Sequence, residues 1–379
     1  MNNMVSIIEA VEITNNRVKP FSGKKRYLAT GDLKNQNIED TMEFVDYETK
    51  PSRADLVVNV SDIIVAKMHA TNKVILIDEN SKDIIVSTGF LTLKPKKEFD
   101  AEYLLQFFRS ENFHKQKDKL CSGATQKAIN NGAFEKIKIP KYPIEEQKRI
   151  AKLLDKADTL RKNRQESIKL LDDFLKATFY DMFGDPVRNE RGWLIKAIKD
   201  ICEARLGKML DSKKQTGVNA RLYLRNANVL WDSFNLSDIS MMDFDEKDRI
   251  EFRLKKGDIL ICEGGEIGRT AIWEEQVKEC YYQKAIHRLK LNLSIIQPEY
   301  FVYLMWFYSK KGGFKDFVST ATISHLTGEK LQTMKIPIPG IILQNTFAQI
   351  YRKIQDIKKT MECNDLDNQF NALIQRYFE

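Results

Sequence analysis

The stretch "KIKIPKYPIEEQKRIAKLLDKADTLRKN", beginning at Lys136, returns in worn form as "KIPIPGIILQNTFAQIYRKI", beginning at Lys335. Ile139-Pro140 and Ile336-Pro337 lie 197 residues apart, and the pairs Gln147/Gln344 and Ala151/Ala348 keep that interval. Upstream, "AEYLLQFF" at Ala101 and "PEYFVYLMW" at Pro298 are again 197 apart. "SDIIVAK" at Ser61 faces "GDILICE" at Gly257, and "RYLATGD" at Arg26 faces "LYLRNAN" at Leu222, both 196 apart. Four blocks in one order at nearly constant spacing predict a tandem duplication, and that limits the fold to two related assemblies.

Each copy has a longer mixed part and a shorter helical part. In the longer part of the first copy "SDIIVAK", "KVILID" and "IIVSTGFLTLK" read as strands; in the second, "GDILICEGGEIGRTAIW" reads as two strands around a Gly-rich turn, followed by "YYQKAIHRLKL". An amphipathic helix is expected after them, over Glu102 to Lys117 and over Glu299 to Lys311, which makes both parts α+β globules. In the helical part, Leu154, Ala157, Ile168, Leu171, Leu175, Thr178 and Met182 follow alternating steps of four and three, with Arg161 and Arg164 in the same stripe. The second copy offers Phe347, Ile350, Ile354, Ile357 and Met361, then resumes out of phase at Leu366, Phe370, Leu373 and Tyr377, so a local break is expected. Pro143 suits a helix start, and "FGDP" from Phe183 stops the first helix. Two such helices bury their seams most simply against each other, so the predicted architecture is two mixed α+β globules in tandem, separated by two long helices forming an antiparallel coiled coil. A helix of about 38 residues is roughly 57 Å long. Paired antiparallel, the helices would act as a ruler between globules related by an approximate two-fold axis, on the scale of a B-DNA turn of about 36 Å.

The formal charge of +8 and pI near 9.0 favour an acidic partner. Cys121, Cys202, Cys262, Cys280 and Cys363 are odd in number, scattered and without C-x-x-C spacing, as expected of reduced cytoplasmic thiols. The opening "MNNMVSIIEAVEI" lacks the order of a signal peptide. The most apolar run, Tyr300 to Ser309, is about half the length that spans a bilayer and is expected to form a buried helix, with no membrane partner.

These residues carry a resemblance. The entrance from Ile137 to Asp158, "DMFGDP" leading into "RGWLIKAIKDICEARLGK", then "YLRNANV" and "GDILICEGGEIGRTAI" are similar to the specificity (S) subunit of type I restriction-modification enzymes over essentially the whole chain. The match is most specific at Ile139 to Ala151 and in "GDILICEGGEIGR", and weakest where "GIILQNTFAQI" replaces the acidic "EEQ" run. The resemblance implies target recognition domains at 1–138 and 185–335, a central helical spacer at 139–184 and a C-terminal one at 336–379. It implies double-stranded DNA as ligand, each domain reading half of an interrupted site. The implied partners are two methyltransferase subunits and the restriction (translocase/nuclease) subunits that join them. Because the two copies share little outside the framework blocks, the halves should differ. A non-catalytic repeat scaffold binding protein or RNA is the alternative.

Chemistry of its own is not expected. An adenine methyltransferase needs a glycine-rich cofactor loop and an (N/D)-P-P-(Y/F) motif, but no Pro-Pro occurs and "EGGEIG" fits a strand-to-strand turn. Asp258 and Glu263 lack the lysine of a metal-dependent nuclease, and His69, His114, His287 and His325 show no metal-ligand spacing, so no cofactor or metal is expected. Phosphate and base-edge contacts call for Lys and Arg beside hydrogen-bonding side chains on loops. The DNA-binding candidates in the first copy are Lys24, Lys25, Arg26, Lys67, His69, Thr71, Lys73, Gln126 and Lys127. In the second they are Lys208, Lys213, Lys214, Arg225, Asn226, Glu263, Glu266, Arg269, Thr322, Ser324 and His325. On the central helix, Glu145, Glu146, Arg149, Lys152, Asp155, Asp158, Arg161, Lys162 and Arg164 form a mixed-charge face for partner docking.

Overall fold

The computed structural model describes residues 3–34, 37–38, 42–124, 126–211, 215–317, 325–363 and 366–379. The chain forms two compact units, Met1–Gln165 with Asn364–Glu379, and Glu166–Cys363.

In the first unit an antiparallel sheet runs in the order Val11–Ile13, Phe90–Pro95, Ile63–Ala66, Val74–Leu76. The second unit repeats it as Cys202–Leu206, Ile286–Leu291, Ile259–Cys262, Thr270–Ile272. The register repeats too: Ile63 opposes Leu93, and Ile259 opposes Leu289. The inner strands Ile63–Ala66 and Ile259–Cys262 are apolar and buried along their whole length, because a second layer covers each side. One layer is a smaller mixed sheet in which Lys25–Leu28 pairs parallel with Ile85–Ser87, and Ala220–Leu224 with Tyr281–Tyr282.

The other layer is helical. The apolar run from Tyr300 is buried in the helix Pro298–Lys311, which Gly312 ends in a left-handed conformation. In the first copy the single helix expected over Glu102 to Lys117 is instead two, Ala101–Arg109 and Glu111–Leu120. Ser110 divides them: its backbone is extended and its hydroxyl accepts from the Phe113 amide at 3.2 Å, capping the second helix. Among the described residues no helix is long and apolar enough to cross a membrane.

The central helix, Ile144–Phe183, contributes residues 144–165 to the first unit and 166–183 to the second. Pro143 precedes it, where the missing N–H costs nothing. Gly184 closes it with φ of 74° and an amide bonded to the Tyr180 carbonyl at 2.8 Å. After the second globule come helices Ile341–Cys363 and Leu366–Phe378; the local break expected between them falls on residues 364–365, which lie outside the described residues. Within each unit the paired helical segments run antiparallel. Arg149 meets Tyr377 while Arg161 meets Asp367 in the first unit. In the second, Phe179 and Phe183 pack on Phe347, and Lys358 bonds Asp172 at 2.7 Å.

Two repeated bolts join helix to globule and account for the doubled entrance. Buried Gln147 donates to the carbonyls of Glu98 (2.9 Å) and Tyr142 (2.8 Å) and accepts from the Asp100 amide (2.9 Å). Buried Gln344 does the same with Ile295 (3.1 Å), Pro339 (2.7 Å) and the Gln297 amide (2.9 Å). The Tyr103 and Tyr300 hydroxyls donate to the carbonyls of Pro140 and Pro337 at 2.8 and 2.9 Å. A glutamine can satisfy an amide and two carbonyls at once, which explains why this residue type recurs at a buried helix start.

Candidate nucleic-acid interface

In the first unit the hairpin after Ala66 meets two other loops. Within the hairpin tip Ala70 adopts φ of 53° and the Thr71 hydroxyl donates to the His69 carbonyl at 3.2 Å. The His69 amide donates to the Lys127 carbonyl, and the Ile129 amide to the Lys67 carbonyl, both at 2.9 Å, which pins the loop carrying Gln126 and Lys127 beside it. On the other side the Lys73 ammonium donates to the Thr30 carbonyl at the end of strand Lys25–Leu28. Lys67 donates to the Thr88 carbonyl at 3.0 Å, and burial, with a smaller effect of nearby Arg17, holds its pKa below the usual lysine range. His69, Gln126 and Lys127 stay exposed at this corner.

Lys24, Lys25 and Arg26 lie at the other end of the same strand, Lys25 and Arg26 as its first two residues, and are not part of this corner. Lys24 is exposed, Lys25 lies 5.3 Å from the Phe21 ring centre, and Arg26 donates to the Asn80 carbonyl at 2.7 Å.

The second unit builds an equivalent corner. Asn226, 196 residues after Thr30, accepts at its carbonyl from Arg269, 196 residues after Lys73, at 3.0 Å. The Asn226 side-chain amide donates to the Gly264 carbonyl at 3.0 Å, while its Oδ1 is buried with no hydrogen-bond partner among the described residues. The Leu326 amide donates to the Glu263 carbonyl at 2.7 Å, placing His325 against the hairpin. The glycines here are steric requirements: a Cβ on Gly264 would lie 2.9 Å from His325 Nδ1, and one on Gly268, at φ of 78°, 2.3 Å from the Phe314 ring. Glu266 pairs with Lys310 at 3.1 Å. Arg225 is turned away onto Asp238, with bonds of 2.7 and 2.6 Å to its carbonyl and carboxylate. Lys208 is half-buried, donating to the Asp243 carbonyl at 2.7 Å and pairing with Asp248. Lys213, Lys214, Thr322 and Ser324 lie outside the described residues.

The mixed-charge face of the central helix is largely paired along its own length. Glu145 bonds Lys148 (2.9 Å), Glu146 bonds Arg149 (2.6 Å), and Asp158 bonds both Arg161 and Lys162 (2.8 Å each). Arg161 also sits 5.0 Å from the Phe370 ring, so it belongs to the helix pairing rather than to the outer face. Lys152 and Asp155 are exposed, and Arg164 is half-buried. The sequence reading missed Leu160, Leu170 and Phe174, which remain 50%, 60% and 54% exposed on this helix. Their off-seam phase was the available signal.

The family model for the type I restriction modification DNA specificity domain matches residues 4–170 and again 190–369. The specificity subunit of the type I restriction enzyme MjaVIII of Methanocaldococcus jannaschii is 25% identical over 329 residues, spanning 81% of this chain and 75% of that protein. Two solved structures have a similar fold. The type I restriction-modification S subunit of M. genitalium aligns with TM-score 0.64 at 15% identity, covering 100% of this chain and 96% of that one. A chain from work on complex assembly and conformational transition of the type I R-M system aligns at 0.60 and 19%, covering 99% and 97%.

Proposed function

Since the chain belongs to the type I restriction modification DNA specificity family, we propose that each of its two corners reads one half of a split, asymmetric duplex site. The chain is the DNA-recognition subunit of a type I restriction-modification system. On our reading the recognition domains are residues 1–138 and 185–335, and the helical regions 139–184 and 336–379 carry the docking surfaces. Two methyltransferase subunits would bind there, with restriction subunits joining them, in the cytoplasm. The subunit itself would be non-catalytic, with base chemistry left to the methyltransferases.

The observation that carries this reading is one loop frame built twice with different exposed residues. His69 and Thr71 in the first hairpin stand where Gly265 and Ile267 stand in the second. A constant frame with variable tips can present two different sets of donors and acceptors to base edges. His69, Thr71, Gln126 and Lys127 are the proposed contacts in the first domain. Asn226, Glu263, Glu266 and His325 are those in the second, together with Thr322 and Ser324. Lys24, Lys25, Arg26, Lys213 and Lys214 are proposed phosphate contacts, since such contacts set register and affinity without sequence information. On the central helix, Leu160 supplies apolar area for a partner near exposed Lys152 and Asp155 in the first unit, and Leu170 and Phe174 supply it in the second.

Selection from a pool of random duplexes by the chain complexed with its methyltransferase tests the reading. Enrichment of one interrupted, non-palindromic motif is the expected result. Enrichment of a single uninterrupted sequence, or none above salt-sensitive background, would refute it.

A further inference from the structure

Lys73 and Arg269 are the two cations that the repeat places in the same role. They lie 196 residues apart, and each donates to the main-chain carbonyl of a residue pair also 196 apart, Thr30 and Asn226. The side chain changes between copies and the acceptor position does not, so the contact is what is repeated. Both cations are half-buried. Arg269 is further enclosed: its Nε is buried, and Glu266 of the same hairpin lies close enough to interact with it electrostatically. Charge spent inside the corner in this way is not free to face a phosphate. From the other side, each hairpin is tied to the third loop through the first residue of its tip, at the carbonyls of Lys67 and Glu263. In both copies the hairpin is thus held by main chain at one end and by a cation at the other, and in the first copy buried Lys117 also donates to the Met68 and Thr71 carbonyls within the tip, at 2.6 and 3.1 Å.

We propose that Lys73 and Arg269 are positioning residues that lock the reading hairpin of each domain against the neighbouring strand end. They set half-site discrimination without themselves contacting DNA. The proposal rests on the corners being the reading surfaces. It separates two effects that a DNA-contacting cation would combine. Neutralising a phosphate releases counterions and contributes about −0.9 to the slope of log K against log salt. A positioning cation contributes nothing to that slope but fixes where the base-reading groups stand.

The test uses the full chain complexed with its methyltransferase and the duplex recovered by selection, with each half-site altered in turn. Binding is measured across a salt series for wild type, Lys73→Met, Lys73→Arg, Arg269→Met and Arg269→Lys. For Lys73→Met the expected result is a loss of at least about tenfold in discrimination at one half-site only, equivalent to about 1.4 kcal/mol. The salt slope should be unchanged, and Lys73→Arg should restore discrimination by donating to the same carbonyl. Arg269→Met should affect only the other half, with Arg269→Lys restoring it. A slope reduced by about one with discrimination intact would overturn the proposal in favour of direct phosphate contact. Unchanged discrimination in both Met variants, or a conservative variant as damaged as its Met counterpart, would overturn it too. Wild type that distinguishes neither half-site would refute the interface reading itself, a result visible before any variant is compared.

Discussion

Replacing Gln147 with Met should loosen the first globule from its helix, by an amount the structure sets. Gln147 is fully buried, and its side chain serves one amide and two carbonyls at 2.8–2.9 Å. Met fills a similar volume and offers none of those bonds. An orphaned buried polar group costs roughly 1–3 kcal/mol, and a carbonyl tolerates the loss better than an N–H. About 2 kcal/mol for the Asp100 amide and about 1 for the two carbonyls together gives a loss of about 3 kcal/mol. In a unit of this size each 1 kcal/mol lowers Tm by about 2–4 °C, so a fall of about 9 °C is expected by calorimetry. Gln344→Met should match it in size, because its three bonds are equivalent. A shift below about 3 °C in either variant would refute the view that these glutamines bolt helix to globule.

Tyr103→Phe and Tyr300→Phe each delete one buried hydrogen bond to a proline carbonyl and should each cost about 1 kcal/mol in urea unfolding. Arg352 bonds buried Glu299 at 2.7 Å, and Glu299 Oε2 has no hydrogen-bond partner among the described residues. Arg352→Met should therefore destabilise by about 2 kcal/mol, less than a fully buried pair because the arginine itself is largely exposed. Asp232 accepts from Tyr351 at 2.6 Å and from Gln355 at 3.0 Å, and burial pushes its pKa from 3.8 up to about 7 against the opposing effects of Tyr351 and Lys358. Between pH about 4 and 7 the unfolded chain releases this proton while the folded chain keeps it, so the group's contribution to stability falls across that window and is level above it. The stability of wild type relative to Asp232→Asn should decline with rising pH over that range, and a constant difference would contradict the assignment.

The tandem architecture was legible because burial leaves periodic marks. The alternating seam identified the central helix, short apolar runs identified the strands, and the constant interval related the copies. The break at Ser110 was not legible from periodicity, because the apolar pattern runs through it, although a serine three residues before Phe113 is a helix-cap signal. At the corners the candidate side chains were visible as types but their employment was not. The acceptors of Lys73 and Arg269 are main-chain oxygens 43 residues away, which only the fold brings near. Arg225 and Lys208 likewise look like phosphate ligands until their internal carboxylate partners are known. Leu170 and Phe174 escaped because the heptad reading followed the buried stripe and ignored what remained on the other face.

The most direct measurement of the central claim is genome-wide adenine methylation in source cells with and without this gene, with the partner methyltransferase confirmed as expressed and active. Loss of methylation at one split, non-palindromic motif is the result the two-corner reading predicts, and it would name both half-sites. An unchanged methylome would contradict it.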